Sequence, residues 1–274
     1  MGRGDPRLTR TRKDLMDTGV GEGSILAYLN IDERGGSALG KPSKTLAVAA
    51  NDLIGGEAGW GVLGNAYNVT YAFRANAPAR MPSDTDGFQR FNSSQILQAE
   101  EALRAWSDVA NITFTRVGTG SGGEEAYSNQ ASMLFSNYTS GLSGAAAFSA
   151  YPGNPNFNAS SGDVWVNISL GANANPTPVN YGGQTLLHEI GHAIGLSHPS
   201  DYNAASGETA PITYAADADY YEDSRQYTVM SYFNESNTGA NFRGVYASSP
   251  LLDDIAAAQM EYGANKIGRA SCRE

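Results

Sequence analysis

The chain has 274 residues, of which 41% are hydrophobic and 17% charged, proportions that are typical of a folded globular protein. Its formal net charge of −10 argues against a nucleic-acid partner, because such a partner requires a basic surface. No run of about 18 apolar residues occurs, so no membrane span is predicted. A single cysteine, Cys272, excludes an intramolecular disulfide.

The N-terminal part of the chain has little core-forming pattern. Residues 1–14 are highly charged and lack the apolar segment of a secretory signal peptide. We therefore expect residues 1–39 to form a flexible N-terminal or pro-segment and residues 40–266 to form one folded domain.

Apolar periodicity predicts the elements of this domain in chain order. A short helix is expected at 45–54, and a longer one begins at Asn92, which forms a capping box with Gln95. Further helices are expected at 182–194 and after Ser249, which would be the N-cap of a helix that ends at Gly263. Strands are predicted at 68–73, 112–117, 132–135, 145–151 and 163–168.

Glycine, asparagine, proline and serine are concentrated at 118–129 and 171–183, and both segments are predicted to be loops. The second lies just before the helix at 182–194 and is expected to form one wall of a cleft. Because strands and helices follow one another without a regular β-α repeat, the predicted fold class is α+β.

All three histidines lie within eleven positions, in the run HEIGHAIGLSHP that begins at His188. His188 and His192 are four residues apart, so one helical turn places both imidazoles on the same face, close enough to share one metal ion. Glu189 projects from the helix to one side of the two histidines, so it is placed to act on a water molecule rather than to bind the metal.

The residues after this pair indicate a third ligand. Gly195 can adopt the left-handed conformation that ends a helix, and Pro199 prevents the helix from continuing. The turn between them would bring His198 back to the first two histidines. Three nitrogen ligands leave one coordination position open, as in catalytic zinc sites. The alternative is a helix that merely carries histidines on a solvated face.

These motifs resemble those of the metzincin zinc peptidases. The pattern HExxHxxGxxH is their zinc signature, and the segment YTVMSYF, with Met230 at its centre, matches their methionine-containing turn. The flanking segments are similar to the serralysins, a metzincin branch of secreted bacterial endopeptidases. These segments are GKPS from Gly40, WSDVANITF from Trp106, SDYNA from Ser200, YEDSRQY from Tyr221 and SPLLDDIAAAQMEYGAN from Ser249.

The resemblance implies a role for several residues. Met230 would form a hydrophobic floor under the zinc site, although an ordinary core methionine would pack in the same way. Tyr232 would bind zinc in the resting enzyme or donate a hydrogen bond to the oxyanion; the alternative is a tyrosine that only packs. The strand that contains Ala146, Ala147 and Phe148 would hold substrate by backbone pairing, unless it is a plain edge strand.

The resemblance also implies a fold, cofactors and partners. The fold would be a mixed twisted sheet with an active-site helix and a C-terminal helix. The cofactors would be catalytic Zn²⁺ and structural Ca²⁺, the latter mostly in a C-terminal repeat region that this sequence lacks. The partners would be protein or peptide substrates and a small protein inhibitor. We expect a monomer that is exported from a bacterium in one step through a C-terminal signal.

The mechanism that these residues predict is hydrolysis of peptide bonds in extended or unfolded protein. Zinc would activate water, and Glu189 would be the general base that passes the proton to the departing amine. Two alternatives stay open: another metzincin branch or a zinc hydrolase with a non-protein substrate, and a catalytically silent binding module with the same fold. Retention of the glutamate and of all three histidines argues against the second.

The last eight residues, 267–274, read IGRASCRE and resemble the translation of a sequencing-adapter DNA. We expect them to be a non-native tail, with the natural protein continuing past Lys266. Cys272 would then be foreign to the natural protein.

Overall fold

The computed structural model describes residues 29–56, 59–141, 145–153, 160–203 and 211–265. The predictions for residues 1–28 and for the tail at 267–274 lie outside these ranges. The α-helices in the described ranges are α1 (Leu46–Ile54), α2 (Ser93–Val109), α3 (Gly171–Ala174), α4 (Tyr181–Ala193), α5 (Tyr214–Asp217) and α6 (Leu252–Tyr262). Short 3₁₀ helices lie at Ile31–Glu33, Glu124–Ala126 and Glu235–Thr238.

Within the described residues, the main sheet contains β3 (Tyr67–Phe73), β5 (Ile112–Arg116), β6 (Met133–Tyr138), β8 (Ala147–Ser149) and β9 (Val164–Asn167). Their order across the sheet is β5, β3, β6, β9, β8. The first four in the spatial order run parallel, and β8 pairs antiparallel with β9 at one edge. Two small two-stranded sheets join β1 (Ser37–Ala38) to β2 (Lys41–Pro42), and β4 (Thr85–Asp86) to β7 (Ser140–Gly141). The predicted α+β class, with a mixed sheet and a C-terminal helix, is confirmed.

Helix α2 begins with the capping box that the sequence predicts. The side chain of Asn92 accepts a hydrogen bond from the backbone N–H of Gln95, and the Gln95 side chain accepts one from the Asn92 N–H. Because this capping box satisfies two donors at the start of α2, the helix begins where the sequence predicts. Its apolar face buries Ile96, Ala99 and Trp106 in the main hydrophobic core.

Helix α4 crosses this core and is held at its C-terminal end by side chains from other elements. Carbonyl groups in the last turn of a helix have no partner within the helix. The Trp60 indole N–H donates to the carbonyl of Ala193 at 2.8 Å, and the Tyr262 hydroxyl donates to that of Ile194 at 2.6 Å. These two bonds fix the point at which the chain leaves the helix.

Three predictions were wrong in detail. The segment at 171–183 is not a continuous loop: it contains α3 and the first residues of α4. The last helix does not start at Ser249, because its N-cap is Leu251, whose N–H donates to the carboxylate of Asp254 at 2.7 Å. The edge strand is shorter than 145–151, and Ala146 precedes it although the Ala146 carbonyl still accepts from the N–H of Asn167 at 3.0 Å.

The segment just before residue 40 packs on the domain. The Arg34 guanidinium is fully buried and donates to both carboxylate oxygens of Asp253 in α6, at 2.6 and 2.9 Å. It also donates to the carbonyl of Lys44 at 2.8 Å. Among the described helices, none is long and apolar enough to cross a membrane.

Candidate metal centre and cleft

The predicted site residues meet at one cleft of about 1000 Å³ between α4 and the free edge of β8. His188, Glu189, His192, His198 and Tyr232 line it. So do all three residues assigned to the substrate strand, Ala146, Ala147 and Phe148. Met230 does not line the cleft, because it lies beneath α4 in the hydrophobic core.

The Nδ1 atoms of the three histidines each face a backbone carbonyl. The partners are the carbonyl of Val229 at 2.9 Å for His188, that of Leu196 at 2.6 Å for His192, and that of Tyr202 at 2.9 Å for His198. A carbonyl oxygen only accepts hydrogen bonds, so each Nδ1 carries the proton and each Nε2 presents a lone pair.

The three Nε2 atoms converge on one point. The Nε2 of His198 lies 3.0 Å from that of His192 and 3.3 Å from that of His188, and the three ligand atoms all lie within 4.8 Å of one another. Three facing lone pairs repel one another unless a cation lies between them. Tetrahedral zinc with bonds of 2.0–2.1 Å separates neighbouring ligands by about 3.3 Å. The donor set therefore fits a zinc ion.

Burial keeps these imidazoles neutral. It lowers the pKa of His192 to about 4, and together with the charge of His192 it lowers the pKa of His198 to about 3. Burial is also the largest reason why the pKa of His188 lies well below its ordinary value of 6.5. Because a metal binds only unprotonated imidazole, this environment maintains the form that binds metal.

The predicted turn between the second and third histidines is present. Helix α4 ends at Ala193, and Gly195 follows with a φ of 102°, which a residue with a side chain rarely adopts. This turn lets the chain reverse so that His198 faces the helix.

Glu189 lines the same cleft, and the residue is 5% exposed. Burial raises the pKa of Glu189 to about 8, and a hydrogen bond from the Ser149 hydroxyl at 2.9 Å acts in the opposite direction. A carboxyl group whose pKa lies near neutrality can both take up and release a proton during a reaction. Sequence reasoning missed Ser149, although it lies within the predicted edge strand.

Met230 packs against the glycine within the histidine motif. An ideal Cβ at Gly191 would overlap the sulfur of Met230 and lie 3.1 Å from its terminal methyl group. A side chain at this position would therefore force Met230 to shift. Val229, the residue before Met230, provides the carbonyl that orients His188, so the methionine turn touches the site through both residues.

The ring of Tyr232 packs against two of the histidines, with its centroid 4.5 Å from that of His198 and 5.8 Å from that of His188. The backbone carbonyl of Tyr232 accepts a hydrogen bond from the Arg225 guanidinium at 2.9 Å. The tyrosine is thus placed beside the cluster, as the resemblance implies.

A buried carboxylate that the sequence analysis did not single out joins the two loops of the site. Asp223 accepts hydrogen bonds from the hydroxyls of Ser200 at 2.7 Å, Tyr202 at 2.9 Å and Ser231 at 2.7 Å. The Tyr202 carbonyl in turn orients His198. No local pattern reveals this role, because the partners lie 8 to 23 residues away along the chain.

Hydrogen bonds from neighbouring side chains fix the start of the substrate strand. The Asn173 amide donates to the carbonyl of Ala146 at 2.8 Å, and the Tyr138 hydroxyl donates to that of Ala145 at 3.2 Å. The ring of Phe148 stacks on Trp165, with ring planes 7° apart. The free edge of β8 is therefore fixed while its backbone faces the cleft.

Comparison with known proteins agrees with this arrangement. Residues 70–242 match the model of metallo-peptidase family M12, Reprolysin_5, over well more than half of the chain. The chain is 42% identical to Serralysin C of Dickeya chrysanthemi over 251 residues, which are 90% of this chain and 50% of that protein. It is 45% identical to Metallopeptidase AprA of Pseudomonas marginalis over 258 residues, which are 90% of this chain and 51% of that protein.

A third relative, Serralysin of a Photorhabdus species, is 43% identical over 235 residues, which are 84% of this chain and 45% of that protein. The chain thus spans about half the length of the curated relatives it matches. The family model covers the strand edge, the histidine helix and the methionine turn together. On this match and on the geometry of its three histidines, the chain belongs to metallo-peptidase family M12.

Proposed function

We propose that this chain is the catalytic domain of a zinc endopeptidase that cleaves extended or unfolded protein. The observation that carries the proposal is the convergence of three unprotonated Nε2 atoms beside the buried carboxyl group of Glu189. The names of the relatives, Serralysin and Metallopeptidase AprA, support the same activity. His188, His192 and His198 would hold the zinc ion, with Tyr232 as a further ligand in the resting enzyme.

A bound Zn²⁺ would supply Lewis acidity, which polarises the scissile carbonyl and acidifies water. Glu189 would take one proton from the attacking water and transfer it to the nitrogen of the departing amine. Its burial suits the first of these transfers, because a buried carboxylate is a stronger base than an exposed one.

The substrate would bind as an additional strand. Among the described residues, strand β8 pairs only with β9, along one edge. Its residues Ala147 and Ser149 line the cleft. An extended peptide can form main-chain hydrogen bonds with such a free edge, whatever its side chains are. This mode favours flexible or unfolded protein over compact folded protein.

Two residues would support the reaction without binding the peptide main chain. Tyr232, whose ring lies beside His188 and His198, would donate a hydrogen bond to the oxyanion. Met230 would form the floor beneath the histidines through its contact with Gly191.

We further propose that the domain includes Arg34, so that the boundary of an N-terminal pro-segment lies before this residue. The supporting observation is the buried pair of Arg34 with Asp253. On the resemblance alone, we propose a monomer that works outside the cell, binds structural calcium and accepts a small protein inhibitor.

The decisive experiment is hydrolysis of an internally quenched peptide by the full chain beside Glu189→Ala, with zinc content measured on both proteins. We expect cleavage by the parent only, with equal zinc, because the variant keeps all three histidines and loses the base. Retained cleavage by Glu189→Ala would remove this residue from the role. A folded, zinc-loaded parent without activity toward any peptide would favour a catalytically silent binding module, and activity toward a non-protein ester alone would favour another kind of zinc hydrolase.

A further inference from the structure

Ser149, in the substrate strand, touches the proposed general base. Its hydroxyl donates a hydrogen bond to Oε2 of Glu189 at 2.9 Å. Among the described residues, no other group donates a hydrogen bond to the Glu189 carboxyl group. Glu189 itself is 5% exposed, so protein covers most of its surface.

The backbone of Ser149 is held firmly in place. Ser149 lies opposite Val164 in the antiparallel pair of β8 and β9, and the next N–H, of Ala150, donates to the carbonyl of Asp163 at 3.0 Å. A serine side chain has one heavy-atom torsion. The fixed backbone therefore leaves the hydroxyl only a few staggered positions, one of which reaches Oε2 of Glu189.

Alternation along β8 separates the roles of its residues. Phe148 lies on one face of the strand and stacks on Trp165, whereas Ser149 lies on the opposite face, toward α4. The strand thus offers main-chain groups to a substrate at its edge and one hydroxyl group to the base.

We propose that Ser149 is a positioning residue for the reaction: its hydroxyl holds Oε2 of Glu189 so that Oε1 faces the reacting atoms. This inference rests on the proposed function, in which Glu189 is the base. Because Oε2 is already an acceptor, the proton that leaves water is taken up at Oε1 and leaves from the same atom to the amine nitrogen. The bond to Ser149 persists in both states, since either a carboxylate oxygen or a carboxyl carbonyl oxygen can accept it.

The kinetic test compares Ser149→Ala, Ser149→Thr and Ser140→Ala with the parent on a quenched peptide. Ser140, in β7, is exposed and is the matched control. We expect Ser149→Ala to lower kcat about tenfold, the loss typical of one hydrogen bond to a charged group, with KM and zinc content unchanged. Threonine keeps the hydroxyl and suits a strand, so it should restore most of kcat.

A residue that only stabilised the strand, or that touched the substrate, would give a different pattern. If Ser149 only stabilised the strand, its loss would lower activity in proportion to the amount of folded protein. If Ser149 touched the substrate, its loss would raise KM. In the Glu189→Ala background the further change of Ser149 to Ala should have no effect on residual hydrolysis, because the group that it positions is gone.

A second measurement tests the contact without activity. In metal-free protein labelled with ¹³C at the glutamate carboxyl carbon, the Glu189 resonance is assigned by its loss in Glu189→Gln. At one fixed pH, Ser149→Ala should shift this resonance, and Ser140→Ala should leave it in place.

The outcomes separate this inference from the proposed function. A kcat of Ser149→Ala within twofold of the parent, a change in KM alone, or an unshifted Glu189 resonance would overturn the role of Ser149 while leaving the peptidase intact. An inactive parent would instead refute the peptidase and, with it, the kinetic role of Ser149, whatever the resonance shows.

Discussion

Replacing Gly191 with alanine tests how the methionine turn supports the histidine helix. Gly191 lies in α4 between His188 and His192 and is buried. An added Cβ would overlap the sulfur of Met230, lie 3.1 Å from its methyl group and lie 3.3 Å from Trp106. Met230 and Trp106 are both fully buried, so neither side chain can move into solvent.

Two opposing effects set the expected magnitude. Alanine favours a helix over glycine by about 1 kcal/mol. An additional methyl group in a well-packed core costs about 1–3 kcal/mol. The variant should therefore lose up to about 2 kcal/mol of unfolding free energy. Its zinc affinity should fall as well, because a displaced Met230 moves the neighbouring carbonyl of Val229, which orients His188.

A double-mutant cycle with Met230→Ala isolates the contact. Truncation of a buried methionine should by itself cost about 2–5 kcal/mol. In the double variant the new methyl group occupies part of the space that the methionine leaves, so the combined loss should be at least about 1 kcal/mol smaller than the sum. Urea unfolding of the metal-free parent, the two single variants and the double variant measures the four free energies of unfolding. Competition with a fluorescent chelator measures the zinc affinity of each protein.

Gly171→Ala is the matched control, since Gly171 also lies in a helix and a Cβ there would meet no atom within 4 Å. It should be neutral or slightly stabilising. Additivity within about 0.5 kcal/mol, together with unchanged zinc affinity of Gly191→Ala, would refute the proposed support of α4 by Met230.

Three further predictions concern groups around the site. Arg34→Leu should cost about 3–5 kcal/mol in urea unfolding, because it leaves the buried carboxylate of Asp253 without its partner. Asp223→Asn should weaken zinc binding about 10- to 100-fold in chelator competition, since an amide oxygen cannot accept all three hydroxyl groups that now hold the loop of His198. In the metal-free protein the buried histidines should contribute a loss of stability as pH falls from about 6.5 toward 4, because in this window they are protonated in the unfolded chain but not in the folded one; the change in urea midpoint between pH 7.5 and 5, compared between the parent and His192→Gln, measures this contribution.

Each of these predictions has its own control. Arg34→Leu combined with Asp253→Leu should be more stable than Arg34→Leu alone, and equal stability would contradict the charge argument. Zinc affinity within threefold of the parent would exclude Asp223 as support for the His198 loop. As pH falls from 7.5 to 5, the urea midpoint of metal-free His192→Gln should rise relative to that of the parent, and an unchanged difference would assign the effect to other groups.

The parts of the site that were predictable from the sequence depend on short spacings. Four residues on a helix place His188 beside His192, and one glycine turn returns His198 to them, so the cluster follows from eleven consecutive positions. The α+β class likewise follows from periodicity within each element. The roles assigned to individual site residues stay predictions until the variants are measured.

What the sequence did not reveal depends on contacts between distant segments. The N-cap of the last helix is Leu251 rather than Ser249, because the carboxylate of Asp254 accepts from the N–H of Leu251 and also from that of Val229, 25 residues earlier. Capping rules consider neighbours along the chain, whereas this cap is shared with the methionine turn. The contact of Ser149 with Glu189 spans 40 residues and is equally invisible to local patterns.

The three Nδ1 partners explain why the supporting residues lie far from the histidines. Each imidazole is oriented by a main-chain carbonyl, that of Val229, Leu196 or Tyr202. The geometry of the three histidines therefore depends on the backbone positions of three loops and not on the side chains of the residues that orient them. Buried carboxylates fix two of these loops, since Asp254 holds Val229 and Asp223 holds Tyr202. Loss of either carboxylate should therefore disturb the metal site from outside the set of ligands, and a search restricted to the zinc motif would not find them.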